Sequence, residues 1–185
     1  MANLQLFFLD TETTWIGPEE RIIQFWWIFW LLDQGSDVFH EERIIKQYMD
    51  TDHPINPKAY ECHKIDRNMI NIFKNRRQYL LEILSYIRRS DYIVWHNIKF
   101  DLNMLKQECR LEQIDFDRMK VKSFCTMQAW TEIVNWPWGK RPKLMELYKF
   151  LFGKEFENAH DAMWDITATK DIFMQLYRTN KIVLF

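Results

Sequence analysis

The chain has 185 residues, which is enough for one domain whose core needs no disulfide or metal to hold it. Its 48% hydrophobic and 28% charged residues exclude a disordered or fibrous chain. The 25 basic and 26 acidic residues nearly cancel, so a polyanionic ligand would need a local basic patch or metal ions.

The first half of the sequence predicts a three-stranded meander followed by helices. Strands are predicted at residues 4–9, 21–32 and 38–47, where apolar, β-branched and aromatic residues run between turn signals. Pro57 opens a short helix, and the apolar spacing over residues 70–88 predicts one longer helix.

The second half predicts strands that alternate with helices. Two strands are expected at residues 91–95 and 119–124, a loop at 136–142, and helices at 101–109, 126–135, 143–152 and 161–177. A meander followed by alternating elements indicates an α/β fold, a mixed sheet covered by helices. No repeat or linker interrupts the chain, so we expect one domain over residues 1–185.

Tryptophan is unusually frequent and glycine unusually rare. The chain has 9 Trp and 4 Gly, whereas average usage would give roughly 13 Gly. Three of the tryptophans lie in the run 25–30, which is apolar on both faces of its strand. Either helices cover both faces, or one face is an exposed patch for a homodimer or another protein partner.

The sequence favours a cytoplasmic protein without a membrane span. Cys62, Cys109 and Cys125 are odd in number and widely separated, which favours free thiols in a reducing compartment. The N-terminus lacks the basic region of a secretion signal. The longest apolar stretch, residues 22–32, is shorter than the ~20 residues that a membrane helix needs.

Asp10 and Glu12 close the first predicted strand on the same face, because side chains alternate along a strand. Two carboxylates ~4 Å apart repel by about 4 kcal/mol at an effective dielectric constant near 20. A bound cation would relieve this repulsion, although a solvated strand end is the simpler interpretation of two such acids alone.

Other acids are ambiguous when each is considered alone. Asp101 lies near the first turn of a predicted helix, where an acid often only complements the helix dipole. Asp165 follows His160 by five residues, a spacing of ~140° on a helix. Both can serve one site only if His160 lies in the loop before the helix, and a histidine there is more often a surface or capping group.

Together, these segments resemble a known family. The segments are FFLDTETT at 7–14, HNIKFDLNML at 96–105 and AHDAMWD at 159–165, with further similarity at 55–65 and 141–153. In this order they resemble the DEDDh family of 3′→5′ exonucleases over nearly the whole chain. The resemblance implies a ribonuclease-H-like fold, a five-stranded mixed sheet flanked by helices.

The resemblance also implies a mechanism. Asp10, Glu12, Asp101 and Asp165 would hold two Mg²⁺ or Mn²⁺ ions, and His160 would be the general base. Oxygen ligands suit such hard ions, and a histidine can accept a proton at neutral pH. The implied reaction removes nucleoside 5′-monophosphates from the 3′ end of a single-stranded nucleic acid, with DNA favoured.

Several residues are candidates for contact with the substrate. Trp15 stands where the family commonly has Gly, and either stacks on a terminal base or packs at the rim of the core. Thr13 would meet the 3′ end by the family's pattern. His96 and Asn97 contact the substrate or only support the strand end. The basic candidates for contact with phosphates are Lys99, Lys140 and Arg141.

Alternative functions remain open at this point. An exoribonuclease that trims RNA would use the same residues, and a binding module could keep the fold without catalysis. The chain ends 20 residues after Asp165, so we expect a stand-alone trimming enzyme rather than a tethered proofreading subunit.

Overall fold

A five-stranded mixed sheet forms the centre of the computed structural model, which describes residues 3–34, 38–116, 122–134, 140–154 and 162–182. Its strand order is β3-β2-β1-β4-β5. β1 pairs antiparallel with β2, and β2 with β3, whereas β4 runs parallel to both β1 and β5. The strands are β1 (Asn3–Thr13), β2 (Ile22–Asp33), β3 (Val38–Tyr48), β4 (Tyr92–Trp95) and β5 (Lys122–Cys125). The α/β class and the mixed sheet are confirmed.

Helices follow β3, β4 and β5 along the chain and cover the sheet. They are α1 (Pro57–His63), α2 (Arg67–Ile70), α3 (Arg76–Arg89), α4 (Ile98–Leu111), α5 (Thr126–Val134), α6 (Leu144–Phe152) and α7 (Ala162–Arg178). Local chemistry sets their ends. The Asn56 side chain accepts from the Lys58 N–H at the start of α1. Gly153 ends α6 at φ 65°, a left-handed conformation that glycine adopts without strain.

The single helix predicted over residues 70–88 is wrong. Residues 71–75 separate α2 from α3, and the Asp66 side chain caps α2 by accepting from the Met69 N–H. Ile70 packs with Ile23 in a small satellite cluster, and Phe73 contacts the Tyr48 ring. Ile70 is therefore buried, and Phe73 partly buried, at the end of the sheet rather than along the apolar face of α3. Helical spacing alone could not separate these two arrangements.

The sheet carries one apolar layer on each face. On one face, Phe7, Trp27 and Phe29 pack with α3 and α4 side chains such as Leu84 and Leu105. On the other face, Phe8, Ile28 and Trp30 pack against Phe173 of α7. Cores on both faces explain why β2 is a nearly continuous apolar run.

This burial corrects one prediction. Within the tryptophan-rich run 25–30, only Trp26 is partly exposed, and the other five side chains are buried. The run is an interior strand covered on both faces, so it offers no broad apolar patch for a homodimer or a protein partner.

Most other predicted elements are confirmed with shifted ends. β1 continues to Thr13, so Asp10 and Glu12 lie within the strand. Residues 119–121 of the predicted fifth strand and 136–139 of the predicted loop lie outside the described residues. Cys62, Cys109 and Cys125 are free thiols. In the part of the chain that the structure describes, no helix is long and apolar enough to cross a membrane.

Candidate active site

Four acidic side chains influence one another at the carboxyl end of β1. The pKa of Asp10 is raised well above its usual range, first by burial and then by repulsion from Asp101, Glu12 and Asp165. Repulsion of this kind requires proximity. The structure therefore brings together the four carboxylates that the sequence analysis singled out from three separate segments.

The fold explains how these carboxylates meet. β1 lies in the middle of the sheet, and the parallel β4 ends beside it. Asn97 turns the chain from β4 into α4 with φ 65°, a left-handed conformation that Asn tolerates, and Asp101 follows in the first turn. α7 packs across the opposite face, which places Asp165 in its own first turn near Asp10.

Thr11 is a site residue that the sequence analysis missed. Its hydroxyl donates a 2.6 Å hydrogen bond to Oδ1 of Asp101, and both side chains are buried. Burial raises the pKa of Asp101 to about 7, and the hydrogen bond from Thr11 opposes that rise. No sequence signal identified the contact, because the two residues are 90 positions apart.

The four carboxylates offer the type of ligand atom that divalent cations such as Mg²⁺ prefer. Asp10, Glu12, Asp101 and Asp165 offer only carboxylate oxygens, which hard cations prefer to nitrogen or sulfur ligands. Burial and three neighbouring carboxylates raise the pKa of Asp10, and a bound cation would favour its ionised form. Within the described ranges, however, no three His, Cys, Asp or Glu side chains are already arranged to hold a metal ion. A bound cation would have to draw the oxygens together.

The loop after β1 is fixed by its own hydrogen bonds. The Thr13 hydroxyl donates to the Trp15 carbonyl at 2.8 Å, and the Thr14 hydroxyl donates to Glu20. Thr13 is buried, whereas Trp15 is partly exposed. Trp15 therefore lies at the rim of the core, just after the end of β1.

His96 is held by the protein through both ring nitrogens. Nδ1 lies 3.0 Å from the Thr126 hydroxyl and Nε2 lies 3.2 Å from the Pro142 carbonyl. Burial lowers the pKa of His96 to about 4, so the ring is neutral at pH 7. A neutral ring that donates from Nε2 can accept at Nδ1. These contacts favour the supporting role for His96, while the Asn97 side chain is exposed.

The basic candidates for contact with phosphates differ in their exposure and in their ion pairs. Lys99 and Arg141 are exposed. Lys140 pairs with Glu146 at 2.8 Å, so this cation is partly neutralised. His160 and the tryptophans of the 136–142 loop lie outside the described residues.

A buried ionic cluster supports α4 behind the carboxylates. Glu108 is fully buried and accepts from the Arg21 and Arg76 guanidinium groups and from the Ile22 N–H. Arg76 also donates to the Ile22 and Asp50 carbonyls. This cluster links α4 to β2 and α3, and thereby fixes the helix that carries Asp101.

Comparison with solved structures places the fold among exonucleases. The nuclease domain of 3′hExo, a DEDDh family member bound to rAMP, superposes with a TM-score of 0.78 at 15% identity, covering 98% of this chain and 96% of that one. Exonuclease X in complex with 5′-overhanging duplex DNA gives 0.63 at 20% identity, over 97% and 95% of the two chains.

Escherichia coli Exonuclease I, solved with a dT13 oligonucleotide, is a third similar structure. It has a TM-score of 0.75 and 20% identity, over 94% of this chain. The present chain spans only 41% of Exonuclease I. No curated protein sequence matches the chain.

A family model also matches most of the sequence. The model described as Exonuclease, of the RNase T type, matches residues 7–173 and therefore includes all four carboxylates and His160. Because this model covers most of the chain, the chain belongs to the exonuclease family that it describes.

Proposed function

We propose that the chain is a metal-dependent 3′→5′ exonuclease that acts on single-stranded nucleic acid, DNA in preference, and releases nucleoside 5′-monophosphates. The mutual repulsion of four carboxylates around Asp10 supports the proposal most strongly. A cluster of like charges costs stability unless it binds a counter-charge. Such clusters are typical of functional sites.

The four carboxylates would hold two Mg²⁺ or Mn²⁺ ions. When bound, such ions supply the positive charge that stabilises the attacking and leaving oxygens of an in-line displacement at phosphorus. Asp10 and Glu12 approach from β1, Asp101 from α4 and Asp165 from α7. Thr11 orients the Asp101 carboxylate through its hydroxyl.

His160 is the proposed general base. The resemblance places it five residues before Asp165, and an imidazole near its usual pKa can take the proton of the attacking water at neutral pH. Replacing His160 with Ala should lower turnover by about 10²–10⁴-fold and leave metal affinity largely intact. Loss of metal affinity as severe as in Asp10→Asn would assign His160 to metal binding instead.

The substrate candidates fit the same proposal. Thr13 and Trp15 lie at the end of β1, where the 3′-terminal nucleotide would bind, and Asn97 lies at the start of α4. Exposed Lys99 and Arg141 can contact phosphates, and Lys140 can do so once it leaves Glu146. The free thiols are consistent with a reducing compartment such as the cytoplasm.

The experiment that tests this function follows product release from labelled oligonucleotides. Single-stranded DNA and RNA of matched sequence are incubated with Mg²⁺, with Mn²⁺ or with a chelator, and the products are identified by mass. We expect nucleoside 5′-monophosphates that depend on the metal, and no product from strands with a blocked 3′ end.

Matched variants separate the site from general effects. Asp10→Asn should abolish release, whereas Asp52→Asn, at an exposed carboxylate after β3, should keep it. Release of 3′-monophosphates, or release that survives chelation, would contradict the proposed reaction. Binding of oligonucleotides without cleavage of either polymer would identify the catalytically silent module.

An exoribonuclease is the second candidate. The structural neighbour 3′hExo is bound to rAMP, a ribonucleotide. The same assay decides between the two polymers, because faster release from RNA than from DNA would replace the DNA preference with an RNA preference.

A further inference from the structure

Two rows of side chains connect the carboxylates to the edge of the sheet. In the strand register, Asp10 lies opposite Trp26, which lies opposite Lys46. Glu12 likewise lies opposite Gln24, which lies opposite Tyr48. Directly opposed residues of antiparallel strands share a face of the sheet. The face that carries the acidic site therefore continues across β2 onto the edge strand β3.

The outer end of these rows is both aromatic and cationic. The Lys46 ammonium group lies 5.0 Å from the ring centroid of Trp26 and 5.0 Å from that of Tyr48. The Tyr48 ring also contacts Phe73, with centroids 5.5 Å apart. We call Trp26, Lys46 and Tyr48 the β3 surface.

The β3 surface is accessible to solvent, and the positive charge of Lys46 is accessible to a ligand. Lys46 is exposed, and Trp26 and Tyr48 are partly exposed. Among the described side chains, Lys46 forms no ion pair, in contrast to Lys140, Lys74 and Lys170. An ammonium group that is held over two rings and lacks a carboxylate partner can meet a phosphate without first breaking a salt bridge.

Because the strands are about 4.8 Å apart, the backbone of Lys46 lies roughly 10 Å from that of Asp10. A few nucleotides span this distance. The combination of a cation with aromatic rings suits single strands of any sequence, since every base has a stacking face and every nucleotide has a phosphate.

From these contacts we infer that the β3 surface binds the nucleotides on the 5′ side of the bond that is cleaved. Lys46 would contact a phosphate and Tyr48 would lie beside a base. The inference rests on the proposed function, because it extends the same site. Contacts at the β3 surface make the enzyme prefer oligonucleotides to the shortest substrates, and they make binding sensitive to salt.

The test compares a long substrate with a minimal one. The long substrate is an oligothymidylate of about 12 nucleotides, within the length range of single-strand sites. The minimal one is the 4-nitrophenyl ester of thymidine 5′-monophosphate, which has no nucleotides on the 5′ side of the cleaved bond. For Lys46→Glu, the ratio of kcat/KM on the oligonucleotide to kcat/KM on the ester should fall by about fivefold or more. Lys46→Arg should largely restore the ratio, and Tyr48→Leu should lower it.

The control variant is Lys122→Glu. Lys122 is also an exposed cation over an aromatic ring, Tyr92, but it lies on β5 at the opposite end of the parallel strands. It should keep the wild-type ratio. A ratio in Lys46→Glu that matches the Lys122→Glu control would overturn the inference.

Binding measurements separate this inference from the proposed function. If the wild-type protein cleaves neither substrate, the proposed function fails, and the affinity for a fluorescent oligothymidylate still tests the surface. Lys46→Ala should lower the slope of log affinity against log salt by about 0.7, the value of one single-strand phosphate contact. An unchanged slope would overturn the role of Lys46.

Discussion

The Thr11 hydroxyl donates a 2.6 Å hydrogen bond to Oδ1 of Asp101, and this contact ties the central strand to the first turn of α4. Thr11 lies between Asp10 and Glu12, so its own side chain points to the other face of β1. The strand therefore presents two acids on one face and orients a third from the other.

Removing that hydroxyl should weaken catalysis without changing the shape of the side chain. We expect Thr11→Val to lower kcat by about tenfold, as is usual for groups that orient metal ligands. The hydrogen bond opposes the rise in the pKa of Asp101, so its loss should move the acid limb of the pH–rate profile to higher pH. Thr179→Val, which removes a hydroxyl bonded to the Gln175 carbonyl at the end of α7, is the control. An unmoved acid limb would contradict the assigned contact.

Neutralising Asp10 should stabilise the metal-free protein at alkaline pH. The folded-state pKa of Asp10 is raised, so its ionised form destabilises the fold, and stability decreases as pH rises through that pKa. In the presence of a chelator at pH 8, Asp10→Asn should raise the melting temperature by about 2 °C or more.

Two further conditions make the Asp10 prediction specific. The difference in melting temperature between Asp10→Asn and wild type should shrink as the pH is lowered, because the wild-type carboxyl then binds a proton. Saturating Mg²⁺ should reverse the order by stabilising the wild type alone. Equal melting curves under all three conditions would show that the four carboxylates do not repel.

His96 should have the opposite dependence on pH. Burial lowers its pKa to about 4, so the neutral ring contributes stability above the unfolded-state pKa near 6.5, and that contribution is lost as pH falls toward 4. We expect the wild type to exceed His96→Asn in free energy of unfolding at pH 8, and the gap to narrow below pH 6.5. Urea titrations measure the gap, with His40→Asn on the exposed part of β3 as control. A gap that is constant with pH would show that folding does not lower the pKa of His96.

Breaking the buried cluster around Glu108 should be costly. Glu108→Gln leaves the Arg21 and Arg76 guanidinium groups without their carboxylate, and loss of one partner of a buried ion pair costs about 3–5 kcal/mol. Glu112→Gln, in which the side chain is 26% exposed, should cost about 1 kcal/mol or less. Urea unfolding of both variants measures the difference. Equal losses in the free energy of unfolding would show that the cluster around Glu108 does not stabilise α4.

Regular patterns in the sequence predicted much of this structure. The alternation of side chains along β1 placed Asp10 and Glu12 on one face, and the order of strands and helices indicated the mixed sheet. Family resemblance linked these acids to Asp101 and Asp165. Burial and the charges of Asp101, Glu12 and Asp165 raise the pKa of Asp10, in keeping with that link.

Contacts between distant segments could not be predicted. The pairing of Thr11 with Asp101 depends on how α4 crosses the sheet. Ile70 and Phe73 fit the spacing of a helix, yet they bury against other elements. The sequence of the tryptophan-rich strand was compatible with burial and with exposure of one face. The structure shows burial, because helices pack on both faces of the sheet.

The number of metal ions that the protein binds shows whether the four carboxylates share cations. Free Mn²⁺ is measured by electron paramagnetic resonance during titration of the protein in the presence of a nucleoside 5′-monophosphate. We expect each chain to bind two Mn²⁺ ions and Mg²⁺ to compete for the same sites. Asp10→Asn should lose saturable Mn²⁺ binding, whereas Asp52→Asn should keep it. The absence of saturable Mn²⁺ binding in the wild type, or equal binding in Asp10→Asn, would contradict the sharing of cations by the four carboxylates.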